Sequence, residues 1–213
     1  MIKIKENAVE FLPAWKGLTA VCIAGGASLT QEQVDAVKGC KIIAINDAYK
    51  LAPNANILYA CDSKWWDWHN GVETFKGLRL QHLCENKADN AFMPYPDIDC
   101  VISTGKQGFE ERPDGIRHGG NSGYQALHVA MHLGAANILL LGYDMHQNTG
   151  KSHWFGDHPS GKQRESIYSE WLECFPALEV AAKERGQRII NCTPGSALEC
   201  FEKINIKDVL NML

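Results

Sequence analysis

The sequence lacks a long hydrophobic run, since its most apolar stretch, ILLLG at residues 138–142, has only the length of a strand. A membrane-spanning helix needs about 18 or more consecutive apolar residues. The N-terminal residues MIKIKENAVEF also lack the apolar centre of a signal peptide. We therefore expect no transmembrane segment and a soluble, cytoplasmic protein.

Excess positive charge is also missing. Lys and Arg number 21 against 25 Asp and Glu, which gives a net charge of −4. This balance excludes a broad nucleic-acid or anionic-membrane surface, because such surfaces need clustered basic residues. Hydrophobic residues make up 45% of the 213, enough for the core of one α/β domain. No repeat or linker is evident, so we expect a single domain over residues 1–213.

The eight cysteines include no CxxC pair, the spacing typical of metal or redox sites. Several lie within apolar runs that resemble strands, for example Cys22 in AVCIAG. We interpret them as small buried thiols rather than as metal ligands or disulfides.

A glycine turn follows the first apolar run, LTAVCIA. Gly25, Gly26 and Ser28 precede Thr30 and Gln33, which are spaced as a helix capping box. A strand, a glycine turn and a helix N-terminus bring backbone N–H groups together, which suits a phosphate or carboxylate. The turn has neither a GxGxxG pattern nor a Walker lysine, so a purely structural role is an equal alternative.

Further apolar runs predict strands at residues 41–45, 57–60, 78–84, 100–103, 138–141 and 188–191. Helical patterns lie at residues 64–69, 121–132, 168–185, 196–203 and 206–213, and Pro176 is expected to kink or divide the longest. This alternation predicts a Rossmann-like open, mostly parallel sheet with helices on both faces. Residues 93–118 contain several Pro and Gly breaks, so we expect a lid-like loop region there.

Polar residues stand where ligands bind in parallel sheets, just past the ends of the strands. Asn46 follows one strand and Asp62 the next, although Asp62 is equally suited to cap the helix after it. Asn121, Ser122 and Gly123 begin the helix that leads to the strand at residues 138–141. The sequence thus predicts several polar turns at one edge of the sheet.

Histidines and carboxylates are concentrated after that strand, in a predicted active-site loop at residues 143–162. Its ionisable side chains include Asp144, His146, His153, Asp157 and His158. A histidine beside a carboxylate can act as a general base, or the two can share a metal ion. For Asp144 the alternative is a structural hydrogen bond to loop N–H groups.

Two other clusters have simpler explanations. His128 and His132 are four residues apart on one helix, a spacing that can hold a metal, but without an HExxH pattern we interpret them as core or surface histidines. The WWDWH segment at residues 65–69 is too wide for one helix face. Part of it is therefore expected to cover a pocket or an interface.

Several segments together resemble the bacterial family-42 sialyltransferases that build lipooligosaccharide outer cores and, more distantly, archaeal-type 6-hydroxymethylpterin diphosphokinases. The segments are CIAGGASLT, IIAINDAY, GNSGYQALHVAMHLGAANILLLGYDMHQN, SHWFGDHP and INCTPGSALECF. They extend over most of the chain, so the resemblance implies the fold of that family.

The resemblance also implies a site for a cytidine monophosphate (CMP) sugar. The implied donor contacts are Gly25, Gly26, Ser28, Asn46, Asn121, Ser122 and Gly123. The implied base is His158, one residue from the family position, where Asp157 competes with it. His153 and Trp154, in the same segment, are expected beside the substrate. His146 replaces a tyrosine that stabilises the leaving phosphate in the family, and that chemistry uses no metal.

Three functional hypotheses follow. The leading one is a metal-independent, nucleotide-sugar-dependent glycosyltransferase that needs no cofactor. The second is a diphosphokinase acting on a small alcohol such as a hydroxymethylpterin, with Mg²⁺ held by Asp62, Asp144 and Asp157. The third is a non-catalytic nucleotide-binding protein. The tryptophan cluster and the family resemblance also favour a homo-oligomer.

Overall fold

The structure, a computed structural model, describes residues 8–84, 95, 98–146, 151–156 and 167–212. The strands are β1 Thr19–Ile23, β2 Lys41–Ile45, β3 Ile57–Ala60, β4 Leu78–Cys84, β5 Asp99–Gly105, β6 Gly115–Arg117, β7 Asn137–Leu141, β8 Arg188–Asn191 and β9 Glu202–Lys203. The helices are α1 Gln31–Ala36, α2 Ser63–Trp68, α3 Ser122–His132, α4 Tyr168–Leu172, α5 Phe175–Glu184 and α6 Ile206–Met212. Short 3-10 helices lie at Asn46–Lys50 and Asn70–Val72.

All strands of the described chain belong to one parallel sheet with the order β6-β5-β4-β3-β2-β1-β7-β8-β9. Successive residues of a strand point to opposite faces, and both faces are apolar here. Cys22 and Leu140 pack on the face covered by α3 and α5, whereas Val21 and Leu139 pack on the face covered by α1, α2 and α6. The predicted Rossmann-like fold with helices on both faces is confirmed.

The strand order reverses its direction at β1. From β1 the chain builds outward through β2 to β6, and it then returns through α3 to place β7 on the other side of β1. The loops that follow β1 and β7 therefore leave the sheet edge in different directions. Such a switch point opens a crevice beyond the carboxyl ends of the strands, where open α/β sheets bind their ligands.

Local helix signals were predicted well. Thr30 and Gln33 form the complete capping box of α1, Asp62 caps α2, and Asn121 caps α3. Pro176 lies in the first turn of α5 and is preceded by the break after α4, so the long helical pattern is divided as expected. Each of these signals depends on neighbours a few residues away, which the sequence displays directly.

The helix predicted at residues 196–203 is wrong, since this segment is a loop followed by β9. Ser196 donates its hydroxyl to the carbonyl of Tyr143 and accepts the amide of Leu198, and Asn191 donates to the carbonyl of Leu198. The backbone groups that a helix would pair internally are thus engaged with distant partners. Glu202–Lys203 then pairs with β8 as a sheet strand.

Two other expectations can be compared with the fold. Within residues 93–118, predicted as a lid-like loop region, the described part includes β5 and β6, both hydrogen-bonded into the sheet. Trp65 and Trp66 are buried in the core, whereas Trp68 is partly exposed.

Among the residues that the structure describes, no helix is both long and apolar enough to cross a membrane.

Candidate functional site

An open cleft of about 620 Å³ lies at the carboxyl ends of the strands, at the switch point between β1 and β7. The predicted site residues that line it are Gly25, Gly26, Asn46, Asp62, Asn121, Ser122, Gly123, Asp144, His146 and His153. Ser28 and Trp154 lie just behind its wall and contact lining residues. Asp157 and His158 lie outside the described residues. The structure therefore brings together most of what the sequence singled out.

The glycine turn and the loop after β7 are interlocked at the base of the cleft. The amide of Gly26 donates to the carbonyl of Gly142 at 3.0 Å. A Cβ atom on Gly26 would lie 1.9 Å from the Asp144 carboxylate, and one on Gly142 would lie 2.6 Å from the carbonyl of Ala24. Glycine is required at both positions because the two backbones approach too closely for any side chain.

Asp144 fixes the glycine turn through Ser28. The Ser28 amide donates to Asp144 Oδ1 at 3.1 Å, and the Ser28 hydroxyl donates to Oδ2 at 2.9 Å. Asp144 is 4% exposed, so these charge-assisted bonds form away from bulk water. The structural alternative considered for Asp144 thus describes what its side chain contacts, while its catalytic role stays a prediction.

Asn46 lines the cleft beyond the end of β2 in an uncommon backbone conformation. Its φ is 50°, in the left-handed region that asparagine tolerates better than most residues. Its side-chain oxygen is buried and accepts no hydrogen bond from any described residue. An unsatisfied buried amide oxygen is costly in free energy, so this atom is well placed to receive a ligand donor.

The N-terminus of α3 forms the opposite wall. Asn121 caps the helix by accepting the Tyr124 amide at 2.8 Å, and the Ser122 hydroxyl oxygen accepts the Cys61 amide at 3.1 Å. Gly123 lies against Tyr143, where a Cβ atom would be 3.0 Å from the ring. The eleven-residue helix is buried almost throughout, so the partial positive charge at its N-terminus is little screened by solvent.

His146 and His153 both line the cleft, and residues 147–150 between them lie outside the described part of the chain. His146 Nε2 lies 3.0 Å from the carbonyl of Gly195. His153 Nδ1 lies 3.3 Å from the carbonyl of Gly25, which also accepts the Trp154 amide at 3.2 Å. The segment at residues 151–156 is therefore tied to the glycine turn.

Two histidines that the sequence did not single out are His82, which lines the cleft, and His118, which lies beside it and accepts the amide of the lining residue Gly120. Their rings are 6.4 Å apart, and His82 lines the cleft from β4. Burial, and then repulsion from His118, lowers the pKa of His82 to about 4, and burial also lowers the pKa of His118. Both rings are therefore neutral near pH 7. The sequence alone could not bring them together, because their meeting depends on strand order.

Asp47 was also missed, although it adjoins Asn46. Its carboxylate accepts the Trp65 indole N–H at 3.0 Å, contacts His69 Nε2 at 3.1 Å and pairs with Lys50. Burial alone would raise the pKa of Asp47, but the hydrogen bonds from His69, Lys50 and Trp65 hold it below its ordinary value. Asp47 is thus an ionised anchor for the turn that carries Asn46.

Aromatic side chains supply the apolar part of the cleft, from Trp68, Phe155, Tyr168 and Trp171. Tyr168 and Trp171 meet edge to face, with ring centroids 5.4 Å apart. Trp171 lies against Gly120, where a Cβ atom would be 3.0 Å from the indole ring. Its indole N–H is buried without an acceptor among the described residues. Such a wall beside a helix N-terminus suits a ligand with both a planar ring and an anionic group.

The charges of the cleft limit the ligand further. The lining residues within the described ranges include Asp47, Asp62 and Asp144 but no lysine or arginine. In the same part of the chain, no three His, Cys, Asp or Glu side chains are grouped as metal ligands would be. Positive potential therefore comes from backbone N–H groups and the α3 dipole, which suits a ligand of low negative charge.

No protein-family model matches the chain, and no curated protein or solved structure matches it either.

Proposed function

We propose that this chain is a metal-independent glycosyltransferase that uses a nucleoside-monophosphate sugar, with a CMP sugar as the expected donor. The observation that carries the proposal is that three features able to contact a ligand lie in one cleft. These are the interlocked turn at Gly26, the unsatisfied amide of Asn46 and the buried N-terminus of α3 at Ser122. The resemblance of several segments to the family-42 sialyltransferases supports the same reading.

The phosphate of the donor is placed between the glycine turn and the N-terminus of α3. The helix dipole and the N–H groups at the start of α3 favour one phosphate there without a metal ion, whereas the Gly26 and Ser28 amides of the glycine turn already donate to Gly142 and Asp144. We expect the cytosine ring of the donor to lie against the aromatic wall that includes Tyr168 and Trp171. Catalysis is assigned to the loop at residues 143–162, where the resemblance implies His158 as base beside Asp157, and where His146 lines the cleft.

The charge of the cleft favours this proposal over a Mg²⁺-dependent diphosphokinase. A nucleoside triphosphate carries about three more negative charges than a phosphodiester, and it normally meets Lys, Arg or Mg²⁺ in its site. Here the Asp144 oxygens accept hydrogen bonds from Ser28, and the Asp47 oxygens accept them from Trp65 and Lys50. Asp62 caps α2 by accepting the Lys64 amide at 3.0 Å. The test described next distinguishes this proposal from the diphosphokinase and from the non-catalytic binder.

The test is a thermal-unfolding panel with CMP, CDP, CTP and CMP-N-acetylneuraminic acid, each with excess Mg²⁺ and with excess chelator. A ligand at 100 times its dissociation constant adds about 2.7 kcal/mol to stability. We expect CMP and its sugar to raise the melting temperature equally in both conditions. Stabilisation by CTP with Mg²⁺ alone would favour the diphosphokinase. Tight CMP-sugar binding without any turnover in the presence of varied acceptors would favour the non-catalytic binder.

Two further properties belong to the proposal: a cytoplasmic location and a homo-oligomeric state. Light scattering coupled to gel filtration tests the second, since a mass of one 23.6 kDa chain would contradict it.

A further inference from the structure

The loop after β8 holds the loop after β7 in place from below the cleft. Thr193 Oγ1 accepts the Tyr143 amide at 3.0 Å, and the Ser196 hydroxyl donates to the Tyr143 carbonyl. The Ala197 amide donates to the Asp144 carbonyl at 2.8 Å. Three backbone groups, two of Tyr143 and one of Asp144, are thus fixed by one neighbouring loop, which lies behind the cleft rather than in it.

The residue before His146 has an uncommon backbone conformation that this support maintains. Met145 has a φ of 55°, in the left-handed region that residues other than glycine seldom occupy. Strained conformations of this kind persist only where the surrounding structure fixes them, and they concentrate at functional sites. The conformation of Met145 turns the chain between Asp144 and His146, which both line the cleft.

The same supporting loop selects one tautomer of His146. His146 Nε2 lies 3.0 Å from the Gly195 carbonyl oxygen, which can only accept a hydrogen bond. Nε2 therefore carries the proton, and in the neutral ring Nδ1 keeps its lone pair. A histidine whose one nitrogen is bound to a carbonyl in this way is oriented to accept a proton at the other nitrogen.

Among the residues that the structure describes, the other histidines in or beside the cleft are less suited to this role. His82 is a weak base because burial lowers its pKa to about 4. His118 Nδ1 accepts the Gly120 amide at 3.1 Å, so its bare nitrogen is already engaged. His153 shares the Gly25 carbonyl with the Trp154 amide, at a longer 3.3 Å.

We propose that His146, in place of the His158 that the resemblance implies, is the proton acceptor of the cleft, held in its Nε2–H tautomer by the Gly195 carbonyl; this inference rests on the proposed glycosyltransferase function. The acceptor hydroxyl gives its proton to His146 Nδ1 as its oxygen bonds to the anomeric carbon of the sugar. The bond between that carbon and the phosphate oxygen breaks, and its electron pair leaves on the nucleoside monophosphate. The imidazolium then returns its proton to water.

The activity test compares His146→Gln and His158→Gln with a matched control, His132→Gln. His132 also donates Nε2–H to a glycine carbonyl, that of Gly115 at 2.9 Å, but it lies outside the cleft. We expect CMP release from CMP-N-acetylneuraminic acid to fall roughly 10²–10⁴-fold in the His146 variant while its CMP affinity is retained. The kcat/KM pH profile of the His146 variant should also lose its acid limb. The His132→Gln control should keep the wild-type rate of CMP release and the wild-type pH profile. Wild-type turnover in the His146 variant would overturn the proposal, and so would a loss of turnover confined to His158→Gln.

A second measurement separates this inference from the proposed function. Long-range ¹H–¹⁵N NMR of the imidazole rings should show His146 as the Nε2–H tautomer, and CMP should protect Nδ1 from acylation by diethylpyrocarbonate. If the wild-type protein turns over no CMP sugar, the proposed function fails, and the NMR result alone decides this inference. An Nδ1–H tautomer, or acylation that CMP does not slow, overturns it.

Discussion

Both carboxylate oxygens of Asp144 accept hydrogen bonds from Ser28, although the two residues are 116 positions apart in the chain. This pair joins the loops after β1 and β7 at the switch point of the sheet. The floor of the cleft therefore depends on the buried carboxylate of Asp144, which accepts hydrogen bonds from Ser28 and also faces the cleft. Its loss should change stability and ligand binding together.

Replacing Asp144 with Asn should destabilise the fold by about 1–3 kcal/mol, because an amide nitrogen would face a Ser28 donor in place of an acceptor. CMP affinity should fall in the same variant, since the glycine turn loses its anchor. Urea unfolding and calorimetry measure the two effects. Asp67→Asn, an exposed change on α2, is the control. Unchanged stability in Asp144→Asn would contradict the role of this pair.

Replacing Gly26 with Ala should cost about 3 kcal/mol, near the upper part of the range for overpacking. The added Cβ would lie 1.9 Å from Asp144 Oδ2 and 2.4 Å from the Gly142 carbonyl, so the two loops must separate. Gly39→Ala is a close control, because nothing lies within 4 Å of its Cβ position. The comparison is made by chemical unfolding. Equal stability of the two variants would show that the loops are not interlocked.

Acid should destabilise the protein from about pH 6.5 downward. Burial, and then repulsion from His132, holds the pKa of His128 well below its ordinary value, and His82 behaves similarly with a pKa of about 4. Below pH 6.5 the unfolded chain binds protons that the folded state does not, so stability is lost at up to about 1.4 kcal/mol per pH unit for each histidine.

The measurement is the free energy of unfolding between pH 7.5 and pH 5, for the wild type and for His128→Gln. The glutamine oxygen can still accept the Glu110 amide that His128 Nε2 accepts at 3.1 Å. The free energy of unfolding of the variant should fall less steeply with decreasing pH than that of the wild type. A flat wild-type profile would mean that these histidines bind protons as readily in the folded state as in the unfolded chain.

Much of the fold was predictable because its signals are local. The buried strands appear as apolar runs such as residues 138–141, and caps such as Asn121 act on neighbours three residues away. The polar turns at Gly26 and Asn46 were expected at one sheet edge because parallel strands place their carboxyl ends together. Most of the predicted binding residues do line one cleft.

What could not be predicted depends on contacts that the sequence does not display. β9 consists of the exposed Glu202–Lys203, and only its pairing with β8 makes it a strand. His82 and His118 meet because β4, β5 and β6 lie side by side. The partners of Asp144 and His146 are Ser28 and Gly195, both distant in sequence. Roles that depend on such tertiary pairs need the structure.

The aromatic wall predicts a contribution from stacking. Replacing Trp171 with Ala should weaken CMP binding by about 1–3 kcal/mol, the usual range for a base stacked on an aromatic ring. Trp171→Phe should retain most of the affinity because it keeps a planar face against Gly120. Titration calorimetry with CMP compares the three proteins. If Trp171→Ala binds as tightly as the wild type, the base lies elsewhere.

The most direct test of the nucleotide cleft uses two asparagines with the same backbone conformation. Asn46 lines the cleft with a φ of 50°, and Asn70 lies exposed outside it with a φ of 47°. Glycine accepts this conformation, so Asn46→Gly and Asn70→Gly each remove only a side chain. Calorimetry with CMP should show affinity at least roughly tenfold weaker for Asn46→Gly and unchanged for Asn70→Gly. Equal affinity of the two variants, or no CMP binding by the wild type, would contradict the account.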